Sequence, residues 1–346
     1  MTTPMLVLLN GIPGSGKSTI ARCWAARRPG ALVIDIDLVR ATLPHWRDDP
    51  TAAGLLARVI TLAVAREQLR VTGDVIIPQY LGRTEFLDQL DQLAADTGAH
   101  LHEVALMGPL EQAADRFRQR STDDPSAAHA ATEVAAAGGV AELERMAERL
   151  DLVIGARPST VRLSSADTES LELITGTRPR GSAGPRLIVL AGLPGTGKTT
   201  LSRALVAELG GVVLRVDAIE NALAGHGVGA LGYEICHLLA GQALALGATV
   251  VVDAVNPVPE ARRGWRSLAD DHDTPITMIE TVLPDESEHR RRVEERRPDL
   301  PDQELPTWSE VHRNHVAWDE DRDGPRTVVD TTDRAEALRT ALAAIS

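Results

Sequence analysis

Lysine is almost missing from this chain. Its 346 residues include two, Lys17 and Lys198, and every other one of its 36 basic residues is arginine. Aromatic residues make up only 3%, so alanine and leucine must fill the interior. The two cysteines, Cys23 and Cys236, have no metal-type spacing, which argues against a zinc cluster or a disulfide scaffold. Both are expected to be small buried apolar residues. No run reaches eighteen uninterrupted apolar residues, and no basic stretch precedes a long apolar one near residue 1. Neither a membrane span nor an export signal is therefore expected, and the cytoplasm is the expected compartment. Positive charge is in deficit: 49 acidic residues against 36 basic ones give a net charge of −13. That balance disfavours an extended nucleic-acid or membrane-surface binder, while leaving room for an oligonucleotide end in one local basic pocket.

What is present is a repeat. Gly11-Ile12-Pro13-Gly14-Ser15-Gly16-Lys17-Ser18-Thr19 returns as Gly192-Leu193-Pro194-Gly195-Thr196-Gly197-Lys198-Thr199-Thr200, and the two lysines hold the same place in both. Each copy follows an apolar run and precedes a helix-compatible stretch, the strand–loop–helix context of a phosphate-binding P-loop. Glycines let consecutive backbone N–H groups curl around a phosphate, and the helix N-terminus adds a favourable dipole. The site takes a compact ammonium where a guanidinium fork would not fit, which explains why an arginine-biased chain keeps lysine here. In such a loop the lysine reaches the outer phosphates of ATP, and the hydroxyl of Ser18 or Thr199 ligates Mg²⁺.

Strands and helices alternate on either side of these loops. Residues 31–36 read as a second strand, 51–69 as a helix, 74–78 as a buried strand and 101–107 as another. After the Gly-, Pro- and Ser-rich stretch 175–185 the order repeats, with strands over 212–216, 249–253 and 276–282 and a helical segment over 307–316. The pattern predicts an α/β protein of two P-loop NTPase domains of nucleoside-kinase type, each a parallel sheet with helices on both faces. Domain 1 is expected over residues 1–176, a linker over 177–185 and domain 2 over 186–346, the two halves of one architecture being read as an intramolecular pseudo-dimer.

The carboxyl ends of strands line the crevice in such sheets, so Asp37 and Asp217 are expected on the P-loop rim. A carboxylate there can take the proton of an attacking hydroxyl, or simply cap a helix. Asp253 and Asn256 end a continuous apolar strand, where an acid would stand close to a metal; the first copy has Pro78-Gln79 there, with no carboxylate. Gln79, Arg83 and Asn256 are the acceptor-side candidates. The arginine clusters around Arg116, Arg120, Arg292 and Arg296 follow the fourth strand of each half, and could stabilise a transferring phosphoryl group or form a solvated helix face.

These residues resemble the P-loop kinases of the zeta-toxin, polynucleotide-kinase and chloramphenicol-phosphotransferase type, an AAA-type ATP-binding kinase domain in two copies. The first half is similar in Gly14 to Thr19 and in Asp37-Leu38-Val39-Arg40; the second in Val252 to Pro257, in Pro259 to Arg263 and in its arginine-rich lid. The resemblance implies that Asp37 activates the acceptor hydroxyl, that Arg40 contacts the acceptor, and that Arg292 and Arg296 contact ATP phosphates. Glu220 stands where the first copy has Arg40. The expected activity is ATP-dependent transfer of the γ-phosphate to a small-molecule hydroxyl. A polynucleotide 5′-hydroxyl kinase and an ATP-gated interaction protein are the alternatives.

Overall fold

A computed structural model describes residues 3–345 apart from 29, 72, 121–133, 135–137, 165–167, 177–183, 228 and 314. Most of the linker expected over 177–185, and most of the polar Ala-rich stretch after Arg120, lie outside the described residues, as does the Arg120 side chain. The chain forms two compact units, Met1–Arg180 and Gly181–Ser346.

In unit 1 the strands are β1 (Met5–Asn10), β2 (Leu32–Val33), β3 (Val75–Pro78), β4 (His100–Leu106) and β5 (Val161–Leu163). They pair in parallel in the order β2-β3-β1-β4-β5. All six residues of β1 are buried, as expected of a strand covered on both faces by crossover helices. Its helices are α1 (Lys17–Ala26), α2 (Ile36–Thr42), α3 (Pro50–Arg70), α4 (Glu85–Thr97), α5 (Leu110–Arg120), α6 (Val140–Ala156) and α7 (Thr168–Thr175).

Unit 2 repeats the topology with β6 (Arg186–Ala191), β7 (Val212–Arg215), β8 (Thr249–Asp253), β9 (Ile276–Val282) and β10 (Thr327–Asp330), in the order β7-β8-β6-β9-β10. Its helices are α8 (Lys198–Leu209), α9 (Val216–Ala222), α10 (Leu231–Ala245), α11 (Pro259–Asp271), α12 (Glu286–Glu294), α13 (Glu320–Asp323) and α14 (Arg334–Ile345). In both units the connections diverge beside the central strand, so the crevice opens at the loop that follows it.

Three local expectations change. The strand over 31–36 shrinks to Leu32–Val33, because the Asp35 side chain accepts from the Asp37 N–H and starts α2. The helix over 307–316 is reduced to a single 3₁₀ turn, Trp308–Glu310, held by a Thr307–Glu310 capping box. Cys23 is exposed, while Cys236 is buried as expected. No helix among the described residues is long and apolar enough to cross a membrane.

Each unit also holds a buried arginine. In unit 1 Arg28 lies over the Trp24 ring, donates to Thr175 and stands 3.6 Å from the buried Asp74. Asp74 in turn accepts from the Met5 N–H. In unit 2 Arg262, 1% exposed, donates to the Asn256 carbonyl and pairs with Asp323 at 2.7 Å. These groups cross-link α1 to α7 and the start of β1, and α11 to the loop after β8 and to α13.

Candidate functional site: two unequal P-loops

Both loops have the same backbone solution. Gly16 and Gly197 cap α1 and α8 from left-handed conformations (φ 98° and 85°), which L side chains rarely adopt. Gly14 sits under α5 and Gly195 under α12: a Cβ at 14 would lie 2.0 Å from the Ala113 carbonyl oxygen, and one at 195 would lie 2.7 Å from Val293 Cγ2. Lys17 Nζ donates to the carbonyls of Gly11 and Ile12 at 2.7 and 3.0 Å; Lys198 Nζ does the same to Gly192 and Leu193 at 2.8 and 2.9 Å. Burial pushes the Lys198 ammonium below its ordinary pKa, and the Asp253 and Asp217 carboxylates pull it back up.

The hydroxyl after each lysine meets a carboxylate, but not from the same strand. In unit 1 Ser18 Oγ donates at 3.2 Å to Oδ2 of Asp35, the residue two past β2 that caps α2. Burial and the neighbouring Asp37 raise the Asp35 pKa to about 6. In unit 2 the carboxylate that senses the hydroxyl of Thr199 is that of Asp253, the last residue of β8. Asp253 is 3% exposed, and its Oδ2 has no hydrogen-bond partner among the described residues. Burial raises its pKa, opposed by Arg215 and Lys198.

Register explains the exchange. Leu32 pairs with Val75 and Val212 with Val250, which sets Asp35 level with Pro78 and Arg215 level with Asp253. Unit 1 therefore has Asp and Pro at the two strand ends, and unit 2 has Arg and Asp. The buried Arg215 stands 3.8 Å from Asp253 and makes a two-pronged pair with Asp299 at 2.8 and 3.0 Å. Burial works against its charge, yet these acids, with Asp217, hold it above the ordinary arginine range.

A cavity of about 1090 Å³ opens on the unit 2 loop, lined among others by Lys198, Thr199, Asp217, Glu220, Arg292 and Arg296. Asp217 is at its rim, on the first turn of α9. Arg292 is set by Glu288 at 2.8 Å and by the Thr331 carbonyl at 3.3 Å; Arg296 stands 3.8 Å from Asp299. The lid is fastened to the loop from below, where His289 Nε2 lies 2.7 Å from the Pro194 carbonyl oxygen and the ring meets Trp308 edge-on. Thr331, after β10, donates to the Thr196 carbonyl at 2.7 Å and closes the other side.

A family model described as an AAA domain matches the chain twice, over residues 6–143 and 187–316. The chain belongs to that family. Three solved structures similar to it are each about as long as one unit. The tunicamycin resistance protein of Deinococcus radiodurans is 19% identical, with 52% of this chain and 99% of that one covered, at a TM-score of 0.36. A gluconokinase of Sinorhizobium meliloti 1021 is 21% identical, with 47% and 93% covered, at 0.36. The APS kinase of Mycobacterium tuberculosis, determined with AMPPNP and APS, is 20% identical, with 47% and 96% covered, at 0.33. Comparison with curated proteins gives no match. Each unit is thus an AAA-family domain, a parallel five-stranded sheet with helices around it and a P-loop after its first strand.

Within this family frame the candidate residues separate. Unit 2 gathers Lys198, Thr199, Thr200, Asp217, Arg292 and Arg296 around one cavity. In unit 1 Asp37 is half-exposed, with Arg40 at 3.5 Å, and Arg83 is exposed on the loop before α4. Arg116 turns back to donate to the Gln112 carbonyl of its own helix. Thr19 and Thr200 are exposed on their helices, whereas Ser15 and Thr196 point inward. The Oε1 of Gln79 is buried, with no hydrogen-bond partner among the described residues.

Asn256 is a correction. It is 1% exposed; its amide donates to the Leu190 carbonyl at 2.9 Å and its Oδ1 accepts from Trp265 at 2.8 Å. With both ends engaged and φ at 51°, it shapes the turn after β8 and has no free group for an acceptor. The first copy is corrected as well: Pro78-Gln79 supplies no acid, but Asp35 reaches the same hydroxyl from the next strand. Asp35, Arg215, His289, Asp299 and Thr331 were not among the site residues expected from sequence. Asp35 alone had a local signal, as the other acid of Asp35-Ile36-Asp37.

Proposed function

We propose that unit 2 is an ATP-dependent phosphotransferase that moves the γ-phosphate to a hydroxyl of a small molecule. The observation that carries this reading is the single cavity joining the P-loop lysine, the lid arginines and a rim carboxylate. Phosphates would rest on the loop N–H groups, and Lys198 would exchange its two loop carbonyls for phosphate oxygens. Arg292 and Arg296 lie over the same space and would balance charge on the transferring group. Asp217, part-exposed at the rim, would take the proton from the attacking hydroxyl. The donor set fits Mg²⁺: an alcohol and a buried carboxylate, hard oxygens both, with one carboxylate oxygen that accepts no hydrogen bond among the described residues. Thr199 and Asp253 would hold the ion, which supplies charge neutralisation at the phosphates.

A second reading belongs to unit 1. There Arg40, Arg58 and Arg83 set three guanidiniums around Asp37 and Glu85, a balance that favours an anionic acceptor such as a polynucleotide 5′ end. Labelled-phosphate transfer from ATP to sugars, nucleosides, antibiotics and RNA 5′ ends tests both readings, with the wild type, Lys17→Met and Lys198→Met. Lys198→Met is expected to lower small-molecule transfer by about a hundredfold to a thousandfold. ATP binding without transfer to any acceptor would overturn the phosphotransferase reading in favour of a nucleotide-gated interaction protein.

A further inference from the structure

We infer that the unit 2 acceptor carries a protonated amine, seated against Glu220 beside the hydroxyl that receives phosphate. This rests on the phosphotransferase reading and names the class of its acceptor. Glu220 lies one helical turn after Asp217 on α9, so both carboxylates project from one face at the acceptor end of the cavity. Arg40 holds the same place after Asp37 in unit 1.

Glu220 is set there by packing. A Cβ at position 232, in the first turn of α10, would come within 2.6 Å of Glu220 Cγ, so Gly232 leaves the room its side chain occupies. No hydrogen bond or ion pair to its carboxylate is formed among the described residues. The titratable groups of α10 that sense it are Tyr233 and Cys236, both uncharged and both pushed up by burial first and by Glu220 after it. The positive groups that line the cavity, Lys198, Arg203, Arg291, Arg292, Arg296 and Arg334, form no ion pair with Glu220 among the described residues. Asp302 and Glu304 extend the negative wall beyond Asp217 and Glu220.

A phosphorylated or carboxylated acceptor would meet like charge on this wall. A neutral polyol would find acceptors for its hydroxyls but no compensation of charge. An ammonium supplies the missing counter-charge and makes charge-assisted hydrogen bonds, the strong kind in a part-dehydrated site. The acceptor class that fits is an amine-bearing polyol, such as an amino sugar or an aminocyclitol.

The test uses the full-length protein with Mg²⁺ and AMPPNP. Calorimetric titration compares glucosamine, 2-deoxystreptamine and kanamycin with their N-acetylated forms, which keep the hydroxyls and lose the charge. At least one free amine is expected to bind about tenfold or more tightly than its N-acetylated form. The isosteric Glu220→Gln variant, with its fold checked by circular dichroism, is expected to abolish that preference. Equal binding of the two forms across all three pairs overturns the inference, and so does a preference that survives in Glu220→Gln. If the amine preference holds but ATP yields no phosphorylated product, the phosphotransferase reading fails and the amine site stands.

Discussion

The two units share the central strand, the loop and the helix after it, yet they bring a carboxylate to the P-loop hydroxyl by different routes. Unit 1 uses Asp35 at the end of β2, across from Pro78; unit 2 uses Asp253 at the end of β8, across from Arg215. The demand is for an acid at one point in space, and two adjacent parallel strands both end there. Moving the acid has a consequence. Arg215 needs counter-charges, and Asp299 supplies one, which ties the segment after the lid helix to the sheet. Charge at the acceptor rim inverts as well, from Arg40 to Glu220.

The sharpest way to break this comparison is to remove each acid in turn. Asp253→Asn is expected to lower small-molecule transfer by about a hundredfold or more and to raise the Mg²⁺ concentration needed, while Asp35→Asn leaves that activity nearly intact. Equal losses, read as initial rates over a Mg²⁺ series, would mean that the two sites are not independent.

The buried arginines come next. Arg262→Ala removes the buried partner of Asp323 and leaves it the part-exposed Arg322, and Arg28→Ala removes the buried guanidinium beside Asp74; each is expected to destabilise its own unit by up to about 3–5 kcal/mol. Urea unfolding should then separate into two transitions, with the lower midpoint assigned to the mutated unit by its tryptophans. Movement of both transitions together would show that the units unfold as one.

A smaller contrast concerns the loops. Gly14→Ala drives a methyl into the Ala113 backbone, whereas Gly195→Ala meets the movable end of Val293. Both strain a positive φ, and overpacking adds about 1–3 kcal/mol, with Gly14→Ala the more costly. Thermal melts of the two variants rank them.

The smallest effect is a pH dependence. Burial, then Asp217, raises the Glu220 pKa to about 7 from an ordinary 4.5, so the native state holds its proton where the unfolded chain has lost it. Stability from this group is complete below about 4.5 and is lost as pH rises towards about 7. Melting temperatures between pH 5 and 8 should fall less steeply in Glu220→Gln. An unchanged slope would show that Glu220 titrates normally.

Much of this was legible in the chain. The strand, glycine loop and helix start are encoded within about twenty consecutive residues, and two lysines kept against an arginine bias mark both loops. Asp217, Arg292 and Arg296 line the unit 2 cavity because strand ends and the helix after the fourth strand face the crevice of any such sheet. Cys23 and Asn256 were misjudged for a different reason. A lone cysteine and a polar residue after a strand have no local signal for which way they face, and Asn256 is engaged by Leu190, 66 positions away, and by Trp265 on the next helix.

By itself, then, the sequence determined two parallel α/β units with a phosphate-binding loop in each, because periodicity, glycine and proline act over a few residues. Only the tertiary structure decided which carboxylate stands beside each hydroxyl. That depends on the register between β2 and β3, or β7 and β8, whose connections differ in length between the units, so equal rungs do not fall at equal intervals along the chain. The P-loops say the same thing twice; the strands beside them do not.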